Sequence, residues 1–193
     1  MEQPLYRVNE IFYSLQGEGA YTGVPMIFVR FSGCNLRCPF CDTQHENYRE
    51  MTALQIRQEL LSYPCHTVCL TGGEPTLQVT EELLNTAFEG YEIHMETNGS
   101  RPIPKGVHWA TVSPKSAPVV VAHCQELKLL FGQGSDDPAR WENFSAEVFC
   151  LQPIAVAGDE EQSRHNVDAT IEYCKAHPQW RLSLQAHKIT NIQ

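Results

Sequence analysis

The chain has no apolar stretch approaching the length of a membrane span, and its first ten residues, MEQPLYRVNE, lack the apolar run of a secretory signal. A cytoplasmic protein with no membrane contact is therefore expected. Basic side chains are scarce, with 14 Lys and Arg against 23 Asp and Glu and a formal net charge of −9. A protein that tracks nucleic-acid phosphates needs a basic surface, so no nucleic-acid partner is expected. A small anionic substrate is still compatible, because a few placed Arg and Lys side chains suffice. No low-complexity tract and no repeat of fixed period interrupts the 193 residues. Their 42% apolar and 19% charged make-up is that of one globular domain, residues 1–193, long enough to bury a sizeable core.

What is plentiful is cysteine, eight in all. In a reducing compartment these should be thiols or metal ligands rather than disulfides. Cys34, Cys38 and Cys41 lie in the run SGCNLRCPFCDT with spacing C-x3-C-x2-C. Three thiolates on so short a loop can hold three irons of a 4Fe–4S cluster, where four ligands are usual, and leave the fourth iron open. S-adenosylmethionine can chelate that iron through its amino and carboxylate groups, and one electron from a low-potential cluster can break its sulfonium. Phe40 would shield the site from water. Zinc is the competing reading, but a structural zinc site takes four protein ligands and no fourth lies at a matching spacing. Cys65 and Cys69 repeat the first interval, yet Cys69 falls in an apolar strand, where cysteine acts as a small hydrophobe. Cys124, Cys150 and Cys174 read the same way.

Apolar runs bounded by turn signals predict strands near 6–13, 26–31, 67–71, 92–97, 109–112, 126–130, 147–152 and 181–184. Thr52 and Gln55 form a capping-box pattern that opens a helix to about residue 63. A second helix fits 80–88, and a third, 160–177, places Val167, Ile171 and Cys174 on one face. Strands alternating with helices imply right-handed crossovers. The connections 99–108 and 113–125 are too rich in Pro, Gly and Ser for crossover helices. The expected fold is α/β, an incomplete, pruned partial (β/α) barrel with parallel strands. Six polar clusters then fall at strand C-terminal ends, the face on which such barrels place their chemistry. They are Arg30 with the cysteine loop, TGGEP (71–75), ETNG (96–99), SPK (113–115), Gln152 with Pro153, and QAHK (185–188).

GGEP suits a cofactor bearing an α-amino group, since two glycines admit close backbone approach and Glu74 offers a carboxylate to an ammonium. As a bare tetrapeptide it is also an ordinary turn with a helix-starting proline. TNG (97–99) and SPK are sensible ribose and carboxylate contacts. Together with the cysteine triplet and its preceding aromatic, these motifs resemble those of the radical S-adenosylmethionine (radical SAM) superfamily. At further positions the chain resembles, more narrowly, the 7-carboxy-7-deazaguanine synthase family. These positions are LQGEG (15–19), Arg30, CDT (41–43), SPK, LQP (151–153) and QAHK, and the likeness runs from Leu15 to Gln193.

The resemblance implies a radical SAM carbon–nitrogen lyase that converts 6-carboxy-5,6,7,8-tetrahydropterin to 7-carboxy-7-deazaguanine with loss of ammonia. That ring contraction lies on the route to queuosine. It implies a 4Fe–4S cluster on Cys34, Cys38 and Cys41, S-adenosylmethionine used catalytically, and Mg²⁺ held by Thr43. Cofactor contacts would fall on Phe40, Cys41, Asp42, Gly73, Glu74, Ser113, Pro114, Lys115, Gln152, Pro153, Ile154 and Ala155. Substrate contacts would fall on Leu15, Gln16, Gly17, Glu18, Arg30, Thr71, Glu96, His187 and the terminal Gln193. A homodimer and a flavodoxin- or ferredoxin-type reductant are further implications.

Elementary chemistry supports several of these roles. Arg30 has the fork geometry to bind a pterin carboxylate in two places. The 2-aminopyrimidinone edge presents adjacent donors that Glu18, Glu96 or the terminal carboxylate can accept in pairs. Mg²⁺ keeps waters and borrows substrate ligands, so one Thr43 hydroxyl is enough. Structural readings stand beside these: Arg30 as a strand-end ion pair, Thr43 as a helix cap. Lys128 either points into the barrel toward the cofactor carboxylate or pairs with Glu126 or a neighbour. Two other functions share the triplet. A small activase that makes a glycyl radical on a partner protein has no need of LQGEG, CDT and QAHK together. A non-enzymatic electron carrier or structural metal protein leaves GGEP and SPK unexplained.

Overall fold

The computed structural model describes residues 3–38, 47–132, 135 and 137–192. Phe40, Cys41, Asp42, Thr43 and Gln193, all expected at the site, lie outside the described residues. Among the described residues nine strands form one sheet: β1 (Tyr6–Leu15), β2 (Pro25–Phe31), β3 (Arg49–Met51), β4 (Thr67–Gly72), β5 (Glu92–Thr97), β6 (Trp109–Val112), β7 (His123–Phe131), β8 (Ser145–Pro153) and β9 (Trp180–Leu182). Their order is β3-β1-β2-β4-β5-β6-β7-β8-β9, with open edges at β3 and β9. From β2 to β9 every pairing is parallel, as expected of a barrel fragment. The expectation of parallel strands fails at one edge, where β1 runs antiparallel to both β2 and β3. Only residues 16–24 join β1 to β2, too few for the crossover that a parallel pair needs.

Helices α1 (Ala53–Leu60) and α2 (Glu81–Ala87) cover the convex face, each started by a threonine that accepts a backbone N–H. Ile56, Leu60, Leu83 and Leu84 pack there on Ile27, Val29, Leu70 and Met95. Burying each such side chain contributes about 1.5–3 kcal/mol. Helix α3 (Glu160–Ala176) matches the predicted span, but its inward row differs from the expected Val167, Ile171 and Cys174. The buried residues are Asn166 and Thr170. The Asn166 amide donates to the Ile154 carbonyl at 2.8 Å, and the Thr170 hydroxyl donates to the Asn166 carbonyl at 2.6 Å. Of the expected face Cys174, with Tyr173, does pack on the core, and the Asn166 anchor adds a polar tie just beyond the end of β8. A short α4 (Ala186–Thr190) lacks the apolar periodicity that would predict it. Among the described residues no helix is long and apolar enough to cross a membrane.

The concave face holds the polar residues. A β-bulge between Val8 and Glu10 shifts the β1 register. Val8 therefore packs on the convex core, while Glu10 and Phe12 turn inward opposite Arg30 and Phe28. Phe12, Met26, Phe28 and Cys69 form an apolar floor. Tyr21, from the β1–β2 connection, caps that floor edge-on against His94 at 4.5 Å and Trp109 at 4.8 Å.

Because Asn166 satisfies a carbonyl at the end of β8, Asn166→Ala is expected to lower the unfolding free energy by about 1–3 kcal/mol. Denaturant unfolding measures this directly, and an unchanged midpoint would refute the anchoring role.

Candidate active site

A cavity of about 230 Å³ opens at the C-terminal ends of the parallel strands. Cys34 and Cys38 line one wall, and Gly72 and Gly73 another. The Cys34 thiol accepts the Leu36 N–H at 3.4 Å. Asn35 ties the cysteine loop to the turn after β5: its amide donates to Ser100 Oγ at 2.8 Å, and its carbonyl accepts from the Asn98 amide at 3.1 Å. Gly72 is needed sterically. Gly72 has φ +115°, and a Cβ there would fall 2.2 Å from the Phe31 carbonyl oxygen. Gly73 N–H donates to that carbonyl at 3.0 Å, and Glu74 N–H donates to Gly33 O at 2.9 Å.

Glu74 does not fit the part of a carboxylate offered to a cofactor ammonium. It has no exposed surface. One oxygen accepts from Thr76 N–H (3.1 Å), Thr76 Oγ1 (2.6 Å) and Thr97 Oγ1 (2.7 Å), and the other from Asn98 N–H (2.8 Å). What GGEP offers the cavity is the backbone of its glycines, held in place by Glu74. The opposite wall carries Ser113 and Lys115 on either side of Pro114, with Gln152 beyond. Burial lowers the pKa of the Lys115 ammonium. Pro153 is buried at the end of β8, and Ile154 continues its pairing by donating to Phe131 O at 2.9 Å. Ala155 is exposed.

At the base of the cavity lies an ionic cluster. Lys128 Nζ donates to Glu18 Oε2 at 2.6 Å and lies 3.6 Å from Glu96 Oε1. Gln185 Nε2 donates to Glu18 Oε1 at 2.8 Å. Burial alone would raise the Glu18 carboxyl; Lys128, with Gln185 and Gln152, instead brings it down to about 2. Burial likewise opposes the Lys128 charge, but Glu18, Glu96 and Glu126 hold its pKa well above the ordinary value. Glu96 also accepts from Gln16 Nε2 at 3.2 Å and Thr71 Oγ1 at 3.3 Å. Of the two earlier readings of Lys128, the structure supports the ion pair, with Glu18 and Glu96 as the partners.

The LQGEG segment reaches this cluster from below, because β1 is antiparallel and ends beside the start of β2. Gly19 N–H donates to Ser183 Oγ at 2.8 Å, which in turn donates to Gln152 Oε1 at 3.0 Å. Ala20 N–H donates to Glu126 Oε2 at 3.1 Å. Gly19 has φ +69°, a left-handed conformation that strains other residues, and a Cβ there would fall 2.2 Å from Glu126 Oε1 and push it from its place. Gly17 O accepts from Ala186 N–H at 2.8 Å, and His187 packs against Gly17. LQGEG and QAHK, joined across 167 residues of chain by the Gln185–Glu18 hydrogen bond, thus form one unit.

Neither Arg30 nor Leu15 lines the cavity. Arg30 pairs through Nε with Glu10 Oε1 at 2.8 Å and lies over the Phe12 ring, which fits its strand-end reading. Leu15 is 39% exposed at the end of β1. Asn35, Ser183 and Gln185 were not among the expected site residues. Gln185 lay within a recognised run, but nothing local marks Asn35 or Ser183. Lys128 and Glu126 do carry a signal, since charges alternate there with Leu127 and Leu129 in a strand.

A model of the radical SAM superfamily matches residues 28–116, the segment holding the cysteine loop, GGEP, TNG and SPK. Over nearly the whole length, the chain is 45% identical to the 7-carboxy-7-deazaguanine synthase of Bacteroides thetaiotaomicron, covering 97% of this chain and 98% of that protein. It is 40% identical to that of Burkholderia multivorans, covering 97% and 99%. The crystal structure of QueE from Escherichia coli superposes with a TM-score of 0.73 at 28% identity, covering 95% of each chain. The chain belongs to the 7-carboxy-7-deazaguanine synthase family. It is a radical SAM enzyme, and a 4Fe–4S cluster and S-adenosylmethionine are its cofactors. The donors on the cavity wall fit them: two thiols on one loop, a glycine backbone cradle opposite, then a hydroxyl and an ammonium.

Glu74→Gln replaces one acceptor oxygen by a donor against Thr76, Thr97 and Asn98. It should cost about 1–3 kcal/mol of stability and lower the iron content after reconstitution. A fully stable, fully loaded variant would sink the bracing role.

Proposed function

We propose that this chain is a lyase converting 6-carboxy-5,6,7,8-tetrahydropterin to 7-carboxy-7-deazaguanine and ammonia, acting as one domain over residues 1–193. The observation that carries this reading is the pair of anchored carboxylates, Glu18 and Glu96, at the base of a cavity whose rim bears two cluster thiols. When bound, the cluster delivers the electron that splits S-adenosylmethionine, supplying a radical that can abstract hydrogen. The residues of the chain bind, orient and exclude water.

Glu18 and Glu96 accept the donors of the aminopyrimidinone edge, with Thr71 and Gln16 orienting Glu96. His187, seated on Gly17, closes the same side. Lys115 and Ser113 suit the carboxylate and ribose of the cofactor, and Gln152 with residues 153–155 borders its far end. Cys34, Cys38 and Cys41 hold the cluster, Phe40 and Asp42 flank the cofactor, and Thr43 supplies the protein oxygen to Mg²⁺. Arg30, at the end of β2 four residues before Cys34, takes the substrate carboxylate by exchanging its hold on Glu10. The conversion removes only ammonia and is redox-neutral, so hydrogen taken from the substrate must return to it. That requirement supports catalytic rather than stoichiometric use of S-adenosylmethionine.

A flavodoxin- or ferredoxin-type protein is the proposed reductant. A homodimer is the proposed assembly: Leu182 and Leu184 at the β9 edge and Ile189 on α4 are exposed apolar surface of the kind a second copy would cover. The activase reading is not favoured. An extended peptide has no use for two anchored carboxylates beneath the cavity.

Reconstituted protein, incubated without oxygen with reductant, S-adenosylmethionine, Mg²⁺ and the carboxypterin, should form 7-carboxy-7-deazaguanine over many turnovers per cofactor. Cofactor cleavage without deazaguanine would falsify the proposal. Glu96→Gln, which turns an acceptor into a donor at the pterin edge, should raise KM by roughly tenfold or more. Removing Mg²⁺ with a chelator should slow turnover, and Thr43→Ala should raise the Mg²⁺ concentration required.

A further inference from the structure

The Glu18 carboxylate is held on both oxygens before any substrate arrives. Lys128 reaches Oε2 at 2.6 Å and Gln185 reaches Oε1 at 2.8 Å. These donors come from β7 and from the turn before α4, both remote in sequence from Glu18. A carboxylate oxygen has two acceptor directions. Gln152 also acts on the carboxylate, and the Glu18 side chain keeps 17% exposure toward the cavity. The Lys128 side chain keeps only 7%, so its ammonium faces carboxylates rather than water.

We propose that Lys128 is a positioning residue for substrate recognition. With Gln185 it fixes Glu18 as an ionised acceptor facing the N–H donors of the aminopyrimidinone edge. The inference rests on the substrate reading above, and it adds how that edge is selected. A neutral pterin edge needs an ionised partner, and Lys128 supplies the charge that keeps Glu18 ionised in a buried place.

The groups facing this pair are Glu96 from β5, Glu126 from β7, Lys115 after β6, Cys69 from β4 and Cys150 from β8. Burial raises Glu126 and both thiols, while Lys115 stands across the cavity. Lys128 is therefore the charge in direct contact with Glu18. The sign of its effect follows. With Lys128, Glu18 stays ionised throughout the neutral range. Without it, burial dominates and the carboxyl titrates upward, so substrate binding should weaken as pH falls.

The test uses the reconstituted holoenzyme, with KM and kcat for the carboxypterin measured between about pH 6 and pH 8, the window a raised carboxyl crosses. Lys128→Met should raise KM by roughly 10- to 100-fold, more at the acid end, with a smaller change in kcat. Lys128→Arg should restore a KM independent of pH. Adding Lys128→Met to Glu18→Gln should give little further loss, since the two act as one unit. Gln185→Leu should raise KM by roughly tenfold; it keeps the inference testable should Lys128→Met fail to fold. A normal, pH-independent KM in folded Lys128→Met, or in Gln185→Leu where that variant decides, would overturn the inference while wild-type turnover upholds the substrate reading. Weaker S-adenosylmethionine binding with an unmoved pterin KM would assign Lys128 to the cofactor, and so also overturn it. Absence of deazaguanine from loaded wild-type enzyme removes the substrate reading and this inference together.

Discussion

The ammonium of Lys128, 2.6 Å from Glu18 and 3.6 Å from Glu96, joins three parts of the chain inside the concave face of the sheet. Its burial would be prohibitive without carboxylates, and theirs without it. Each therefore dictates where the others stand. The β1–β2 connection must turn inward to bring Glu18 there. The turn that ends at Gln185 must come close enough to hold the far oxygen of the same carboxylate. The barrel is open at its edges, yet its base is closed by this connection, with Tyr21 wedged between His94 and Trp109 beneath the ionic cluster.

Two glutamates illustrate how burial divides labour. Glu74 is fully buried and accepts four hydrogen bonds within its own turn and the next strand end. It works as a brace, and its loss is felt through the glycine backbone it holds. Glu18 is held by Lys128 and Gln185 but keeps part of its surface in the cavity, so the same functional group faces the site instead of a turn. Asn35 extends the brace to the cysteine loop through Asn98 and Ser100. The thiols of Cys34 and Cys38 are thereby positioned by the turn after β5 as well as by their own backbone.

The family membership, the parallel β2-to-β9 array and the cavity at strand C-terminal ends agree with what the motifs implied. The N-terminal edge does not, since β1 and β3 run against the rest. The difference has a functional side. An antiparallel β1 delivers LQGEG to the lower end of the sheet, from which Glu18 rises into the cavity base. A parallel first strand would have placed that segment on the upper rim with the other motifs.

Much of this was legible in the residue order because the signals are local. A thiol spacing, a glycine pair after an apolar strand, a capping box and alternating apolar residues each depend on neighbours a few positions apart. Strand positions for β2, β4, β5 and β6 and the span of α3 were set at that level. The inward row of α3 was not, because Asn166 is buried only when the Ile154 carbonyl stands opposite it. Arg30 could be read as clamp or strand-end pair until the β1 bulge brought Glu10 across from it. The residue order determined that this chain carries a cluster loop and a cofactor cradle. Tertiary structure decided which carboxylates are sealed into a brace and which face the cavity, because a buried charge takes its place from the partner that long-range folding sets within about 3 Å of it.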